Sequence, residues 1–373
     1  MKIVITGAHG FLGWHTRARL HTLTDHDVVA IGRDDWDELQ AHVADADAVM
    51  HLAGINRAET DAAVEQGNVD LAQDVADAVR AADKPVRVVY SSSTQVGNGS
   101  PYGRGKERAG EILADAAIAS GAAYVEVRLP NIFGEHARPY YNTFVATFID
   151  KLLEGETPTV NDNPVELLHV QDAAASLIEA LSSRDRLIRP HGHDTRVPEV
   201  LSLLEQFHDV YGRGEIPKLP TRFHTNLFNT YRAATFPNKY PFSLMVNADQ
   251  RGELIETVRA HGSGGQSFVS YTKPGKTRGE HYHLSKIERF VVISGKARIS
   301  LRKVLTDEVV DFDVDGTKPA VIDMPTLWVH NITNIGDEDL ITMFWADQLF
   351  NPAAPDTYWE PVRPAESKEE TER

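Results

Sequence analysis

Cysteine is absent from the sequence. This absence excludes disulfide bonds, thiolate zinc sites and cysteine nucleophiles, so any bound metal must be held by His, Asp or Glu. No apolar run approaches the roughly 20 residues of a membrane span, and Met1 to Gly7 runs straight into a predicted strand without a signal-peptide stretch. We therefore expect a cytoplasmic protein that does not enter a membrane.

Positive charge is also scarce. Lys and Arg number 38 against 54 Asp and Glu, which gives a formal net charge of -16. A surplus of negative charge opposes attraction to a phosphate backbone, so no nucleic-acid partner is expected. A chain of 373 residues with 42% hydrophobic positions has the length and the apolar content for about two domains.

Two patterns divide the chain. Short apolar runs alternate with helix-like stretches up to about residue 180, which predicts an α/β fold with a Rossmann-type, doubly wound parallel sheet. Beyond Asn247, short alternating strands between Gly, Asp and Pro turns predict an antiparallel all-β barrel. A helix is predicted from Pro198 to Tyr211, and we place the domain boundary after it. The nucleotide-binding domain is expected at 1–242, the barrel at 243–362 and a disordered tail at 363–373.

A glycine-rich turn follows the first predicted strand. Gly7, Gly10 and Gly13 open a helix, so that backbone N–H groups and the helix dipole can meet a pyrophosphate. The spacing is Gly-x-x-Gly-x-x-Gly, which a tight strand-to-helix turn without a ligand could also explain. Arg33, at the end of the second strand, suits a 2′-phosphate and favours NADPH over NADH, unless it only pairs with neighbouring surface carboxylates.

Three residues form a candidate proton-transfer set. Ser93 ends the fourth predicted strand, and Tyr102 and Lys106 share one face of the next helix at i,i+4 spacing. A neighbouring ammonium favours the phenolate, which would ease proton exchange with a substrate carbonyl. Taken singly, Tyr102 and Lys106 match ordinary surface helix residues.

These motifs resemble the extended short-chain dehydrogenase/reductase family that acts on sugar nucleotides. The resemblance implies that Tyr102 donates a proton, that Lys106 holds the nicotinamide ribose and lowers the pKa of the phenol, and that Ser93 orients the carbonyl. The residues implied to contact the coenzyme are Gly7, Gly10, Phe11, Leu12, Gly13, Arg33, Leu52, Ala53, Gly54, Asn68, Tyr102, Lys106 and Pro130.

The second half carries candidate metal ligands. His281 and His283 lie two residues apart, hence on one strand face, Glu288 follows in the next segment, and His330 lies further along. A mixed nitrogen and oxygen set suits one divalent ion, with zinc the first expectation and Fe, Mn and Ni also compatible. A His-x-His pair can also be a surface feature without a metal.

The spacing of this set resembles the cupin superfamily, from which the sequence departs at Leu327 and Pro319, where that family has glycine. A second resemblance, to the sugar-nucleotide epimerases of the cupin type, implies that His281 is the base. A metal-bound imidazole has committed its lone pair, so Lys276, Tyr271 and Tyr358 remain alternative bases.

Together the two halves resemble bifunctional enzymes of capsular polysaccharide synthesis, and the resemblance covers nearly the whole chain. It implies C3 epimerisation of a UDP-2-acetamido-2,6-dideoxy-4-ketohexose, then C4 reduction with NADPH to a UDP-N-acetyl-L-talosamine-type product of the L-fucosamine pathway. A homodimer is expected by analogy. Two alternatives stay open: a 4-epimerase or dehydratase that retains NAD, and a binding protein that senses nucleotide and metal.

Overall fold

A computed structural model describes residues 1–262 and 264–363. The chain forms two compact units. Unit 1 comprises Met1–Phe148 and Pro158–Leu201, and unit 2 comprises Ile149–Thr157 and the chain from Ser202 onward. No helix in the described ranges is both long and apolar enough to cross a bilayer.

Unit 1 is built on a six-stranded parallel sheet with the strand order β2-β1-β3-β4-β5-β8. The parallel order predicted from the alternating pattern is therefore confirmed. A small second sheet has the order β6-β7-β9. The strands of the two sheets are β1 (Lys2–Thr6), β2 (Asp27–Ile31), β3 (Ala48–His51), β4 (Arg87–Ser93), β5 (Tyr124–Leu129), β6 (Asn131–Phe133), β7 (Pro164–His169), β8 (Leu187–Ile188) and β9 (His193–Arg196).

Helices cover both faces of this sheet. The helices of the chain are α1 (Phe11–Leu23), α2 (Leu39–Val43), α3 (Asp61–Ala81), α4 (Pro101–Ala119), α5 (Phe144–Leu153), α6 (Val170–Glu179), α7 (Val197–Gly212) and α8 (Arg222–Thr235). Because successive strand residues point to opposite faces, Ile3 and Ile5 pack into one core and Val4 into the other. Both strand faces are thus buried, which is why these strands read as continuous apolar runs.

The helix carrying the candidate proton-transfer pair has a well-defined start. Ser100 accepts a hydrogen bond from the backbone N–H of Gly103, and Pro101 occupies the first helical position. These signals offset the low helix propensity of Gly103 and Gly105. Substitution at Gly105 is also excluded sterically, because a Cβ there would lie 2.9 Å from the carbonyl oxygen of Glu65 in α3. The two glycines therefore let α4 approach its neighbours closely.

Unit 2 contains two five-stranded antiparallel sheets and a separate hairpin. The sheet orders are β10-β18-β15-β20-β13 and β17-β16-β19-β14-β21, and β11 pairs with β12. The strands are β10 (Phe242–Ser243), β11 (Val246–Asp249), β12 (Gly252–Ile255), β13 (Gln266–Thr272), β14 (Thr277–Tyr282), β15 (Glu288–Ser294), β16 (Lys296–Lys303), β17 (Val309–Asp315), β18 (Ala320–Met324), β19 (Trp328–Asn334), β20 (Leu340–Ala346) and β21 (Tyr358–Trp359).

The two sheets share one apolar core. Phe290 and Phe344 from the first sheet meet Leu301 and Ile332 from the second. No strand ladder joins the sheets in the described part of the chain, so the strand pairs do not close a barrel. The antiparallel all-β architecture predicted from sequence is confirmed at that level.

A buried ion pair connects α7 to this region. Arg289 and Asp323, both fully buried, form two hydrogen bonds of 2.7 and 2.9 Å, and the hydroxyl of Tyr211 donates to the same carboxylate at 2.7 Å. Phe236 and Tyr240, beyond α8, also enter the core of the two sheets. Residues 202–242 thus group with unit 2, whereas the functional boundary at residue 242 stays a prediction.

The predicted disordered tail, 363–373, lies outside the described residues except for Arg363. That residue donates to the carboxylate of Asp311 at 2.7 and 2.9 Å.

A buried carboxylate in unit 1 lies against a histidine side chain. Glu135, just after β6, is 1% exposed, and its Oε2 lies 3.0 Å from Nε2 of His169 at the end of β7. Burial acts to raise the pKa of Glu135, but His169 and His15 lower it to about 2. A carboxyl whose pKa falls on folding stabilises the native state above its unfolded pKa and loses that contribution as the pH drops through its folded pKa.

We therefore expect the free energy of unfolding of Glu135→Gln to fall less than that of the wild type when the pH is lowered from about 4.5 to about 2. The contribution removed at neutral pH is at most about 3 kcal/mol. Urea unfolding followed by circular dichroism at several pH values checks this, with Glu111→Gln, at an exposed position, as the control. An unchanged pH dependence in the Glu135 variant would contradict the assignment.

Candidate active site and metal centre

The glycine-rich turn is the tightest part of unit 1. Gly7 has a φ of +67°, and a Cβ there would lie 2.7 Å from the backbone nitrogen of Ala53. A Cβ on Gly13 would clash with the carbonyl of Gly7. The N–H of Gly10 donates to that carbonyl at 3.0 Å, and α1 begins at the next residue. The turn places bare backbone at a helix N-terminus, which fits the pyrophosphate of a dinucleotide.

The loop after β3 forms the adjoining wall. Thr6 Oγ1 accepts from the N–H of Ala53 at 3.3 Å and contacts Nδ1 of the buried His51 at 2.8 Å. Burial lowers the pKa of His51 to about 3, so the ring is neutral. Asn68 bonds both the N–H and the C=O of Ile55, at 3.2 and 2.8 Å. The predicted coenzyme residues of this loop are thus fixed from β1 and α3.

Lys106 lies beneath this wall as a buried cation. It is 4% exposed, and its Nζ donates to the carbonyl of Ser91 at 2.9 Å. The same Nζ lies 5.0 Å from the ring centre of Tyr90 and 5.9 Å from that of Tyr102, and a Cβ on Gly54 would come within 3.2 Å of it. Burial lowers the pKa of Lys106 to about 8. The ammonium therefore faces the loop that is predicted to hold the coenzyme.

Tyr102 behaves differently from the expectation. Burial raises the pKa of its phenol to about 12, so the lowering expected from Lys106 is not present. The reason is distance, since the ammonium is 5.9 Å from the ring centre and desolvation prevails. Ser93 is buried, and its Oγ accepts from the N–H of Gln95 at 3.2 Å. In this geometry Tyr102 keeps its proton, and Ser93 caps the turn after β4.

The end of β2 presents groups of both signs. Arg33 is exposed and forms no ion pair within residues 1–262 and 264–363. Asp35 instead accepts from the N–H of Gly32 at 3.3 Å and lies 4.0 Å from Nε2 of His9. The surface pairing of Arg33 considered above is thus not formed, and a carboxylate lies in the turn that follows β2.

The remaining predicted coenzyme residues have supporting positions. Leu12 and Leu52 pack against the core that contains β1, and the ring of Phe11 lies 5.3 Å from that of His15. Pro130 is buried directly after β5. These four side chains are uncharged, and their positions are set by packing.

The four predicted metal ligands of unit 2 converge. β14 pairs with β19 so that His281 stands opposite His330, after a bulge between Gly279 and His281. Glu288 begins β15 on the other sheet. Its Oε2 lies 3.2 Å from Nε2 of His283, 3.2 Å from Nε2 of His330 and 3.9 Å from Nε2 of His281. One ligand atom from each of the four residues lies within 4.8 Å of the others.

Electrostatics favours cation binding at this cluster. Burial alone would raise the pKa of Glu288, but the three histidine side chains beside its carboxylate hold it well below its usual range. Burial also lowers the pKa of His330 to about 4. An ionised carboxylate beside a neutral imidazole is the protonation state in which these groups bind a divalent metal. The donor set therefore fits zinc and its neighbours in the first transition row.

The alternative bases do not reach the cluster. Tyr271 lies on the face of β13 opposite Phe268, whose ring stacks on that of the core residue Phe344, and its side chain is 63% exposed. Tyr358 contacts the ring of Tyr282, on the strand face opposite His281. Lys276 lies in the turn before β14 and contacts none of the cluster residues in the described structure.

Several groups that shape the two sites were not found from the sequence. The carbonyls of Ser91, Trp328 and Asp356 hold Lys106, His330 and His283 at 2.9, 3.0 and 2.6 Å. A carbonyl acceptor leaves no trace in residue identity, so no sequence signal could have identified these three.

We expect Gly13→Ala to weaken both coenzyme binding and folding, because its methyl group meets the carbonyl of Gly7. A loss of at least 1 kcal/mol in the free energy of unfolding is expected, of the size that overpacking causes. Thermal unfolding and titration of coenzyme fluorescence measure the two effects. Gly212→Ala, in open space at the end of α7, is the matched control and should be near neutral. Wild-type affinity and stability in Gly13→Ala would contradict this packing.

Comparison with known proteins agrees with this architecture. The model of the NAD dependent epimerase/dehydratase family matches residues 3–192, and that of the polysaccharide biosynthesis C-terminal domain matches residues 247–358. A UDP-2-acetamido-2,6-beta-L-arabino-hexul-4-ose reductase of Pseudomonas aeruginosa is 30% identical over 366 residues, covering 96% of this chain and 98% of the relative.

Solved structures agree over the same length. The capsular polysaccharide assembling protein CapF from Staphylococcus aureus has a TM-score of 0.62 and 32% identity, covering 97% of this chain and 100% of CapF. CapF with the inhibitor 3-isopropenyl-tropolone has a TM-score of 0.59 and 31% identity at the same coverage. The chain belongs to the NAD dependent epimerase/dehydratase family and is a CapF-like protein over nearly its whole length.

Proposed function

We propose that the protein is a bifunctional sugar-nucleotide enzyme. Its all-β region, of the cupin type, inverts C3 of a UDP-2-acetamido-2,6-dideoxy-4-ketohexose, and its N-terminal domain then reduces C4 with NADPH to a UDP-N-acetyl-L-talosamine-type product. The observation that carries the proposal is the position of Lys106, whose buried ammonium lies under the ring of Tyr102 beside Gly54. The full-length relative named as a reductase of a UDP-linked 4-ketohexose supports the substrate class.

The reductive half requires a proton donor for the developing alkoxide at O4. Tyr102 suits this role because its raised pKa keeps the phenol protonated at neutral pH. Lys106 would hold the nicotinamide ribose, and its positive charge would favour the phenolate once the proton has left. Ser93, whose Oγ accepts from the Gln95 N–H, would orient the carbonyl with its own O–H group. When bound, the reduced nicotinamide supplies the hydride.

The epimerising half requires removal of the proton at C3, which the adjacent C4 carbonyl acidifies, and return of a proton to the opposite face of C3. We propose that His283, Glu288 and His330 hold a divalent ion, with zinc as the first expectation, and that His281 either completes the set or takes the proton. His281 is the most exposed of the four and the most distant from Glu288. A bound cation supplies positive charge that favours an enolate.

A second enzyme function has one observation in its favour. The carboxylate of Asp35 at the end of β2 suits a ribose hydroxyl, as expected for a 4-epimerase or dehydratase that retains NAD. Arg33 is free to meet a 2′-phosphate and favours NADPH. Stoichiometric loss of NADPH absorbance on addition of the 4-keto substrate separates the two, because a recycling enzyme consumes none.

We propose that the enzyme acts as a homodimer in the cytoplasm. Val269 and Tyr271 expose apolar surface on β13, an edge strand of its sheet. Edge strands of this kind can associate with a second chain.

Tyr102→Phe should lower C4 reduction by about 100-fold or more, because the phenyl ring has no proton to give. Exchange of the C3 proton in D2O, followed by NMR without NADPH, should persist, since the exchange chemistry belongs to unit 2. Tyr140→Phe, at an exposed tyrosine of unit 1, serves as the control. Loss of both activities together would contradict two separate sites.

His330→Ala should release the metal, because it removes a fully buried ligand. Metal content by mass spectrometry after dialysis measures this, with the exposed His261→Ala as the control. Unchanged metal content would remove His330 from the ligand set. In the same assay His281→Asn separates the two proposed roles: metal retained with C3 exchange lost assigns the base, and metal lost assigns a ligand.

A further inference from the structure

A segment near the end of unit 2, residues 355–359, lies against the chain between two candidate metal ligands. Its strand β21 pairs with β14, so that Trp359 stands opposite His281 and Tyr358 opposite Tyr282. Lys286, 8% exposed, donates to the carbonyl of Pro355 at 2.8 Å and to Oγ1 of Thr357 at 3.0 Å. The lysine thereby holds the segment on both sides of Asp356.

Asp356 makes hydrogen bonds through both its backbone carbonyl and its side-chain carboxylate. Its carbonyl oxygen accepts from Nδ1–H of His283 at 2.6 Å. This bond places the proton on Nδ1 and leaves the lone pair on Nε2, which faces Glu288 at 3.2 Å. The backbone of Asp356 thus selects the tautomer of His283 that can bind a metal.

The carboxylate of Asp356 binds the loop that separates His283 from Glu288. Its Oδ1 accepts from the N–H of Leu284 at 2.9 Å, and its Oδ2 accepts from the N–H groups of Ser285 and Lys286 at 3.0 and 2.8 Å. The hydroxyl of Ser285 adds a fourth hydrogen bond at 2.9 Å. Three successive backbone N–H groups around one anion form a concave binding site that fixes the loop conformation.

The backbone of Asp356 is strained. Its φ is +43°, in the left-handed region that residues with a Cβ seldom adopt. Such a conformation is unfavourable and persists only where surrounding contacts enforce it. A glycine would adopt this conformation without cost, whereas the aspartate adds the hydrogen bonds of its carboxylate.

We propose that Asp356 is the positioning residue of the metal centre: its carbonyl sets the tautomer of His283, and its carboxylate sets the separation of His283 from Glu288. The proposal rests on the metal function proposed above. Asp356 does not touch the ion, and it acts through His283 and the intervening loop. Removing such a supporting partner typically lowers metal affinity 10- to 100-fold.

The test measures zinc affinity by competition with a chromogenic chelator in the full chain. Asp356→Asn, which places an amide against backbone donors, and Asp356→Gly, which keeps the carbonyl and relieves the strain, should each raise the Kd at least tenfold. The absorption spectrum of the Co2+-substituted protein should change as well. Asp315→Asn is the control, since Asp315 likewise binds a turn N–H, that of Thr317, at 2.8 Å.

The midpoint of thermal unfolding, measured with and without Zn2+, distinguishes a positioning role of Asp356 from a purely structural one. Positioning predicts a smaller metal-induced rise in the midpoint, whereas a structural role lowers both midpoints equally. Wild-type zinc affinity with a wild-type rise in either variant would overturn the proposal. If both variants fail to fold, Ser285→Ala should still raise the Kd about threefold, and no change would overturn it. Failure of the wild-type protein itself to bind Zn2+ would contradict the metal function instead.

Discussion

Buried charge is the constraint on which both sites depend. A charged group removed from water must be paired or accept several hydrogen bonds, since otherwise it shifts its pKa or unfolds the region around it. Lys106 meets this requirement with a carbonyl and two aromatic rings, and Glu288 meets it with three imidazoles. Arg289 and Asp323 meet it with each other. Each arrangement fixes its side chains tightly, which is the property a catalytic or metal-binding site needs.

Much of the architecture could be predicted from sequence because it rests on periodicity. The run from Val86 to Tyr90 became the strand Arg87–Ser93, and the helix predicted from Pro198 to Tyr211 is Val197–Gly212. The two-residue strand Leu187–Ile188 could not be predicted, since two residues carry no period. The predicted closure of a barrel is not confirmed, because strand pairing is a long-range property of the folded chain that local periodicity does not determine.

The candidate sites divide in the same way. The spacing in the sequence identified His281, His283, Glu288 and His330 as candidate ligands. The strand register, which places His330 opposite His281, is known only from the structure. Asp356 stayed hidden because it is 73 residues from His283 and part of its contact is a backbone carbonyl. The pKa of Tyr102 was expected to be lowered by Lys106, whereas burial raises it. Spacing along a helix gives no measure of how far the phenol is removed from water. Asp35 was considered only as a competitor for Arg33, and its bond to Gly32 depends on the turn geometry.

The placement of the four candidate ligands has a mechanical consequence for unit 2. His281 and His330 belong to one sheet and Glu288 to the other, and no strand ladder connects these layers in the described residues. An ion coordinated by all four side chains would cross-link the two sheets at one end, as a covalent bond between them would. Its binding free energy would then also be folding free energy, and chelation would loosen the sandwich at that end first.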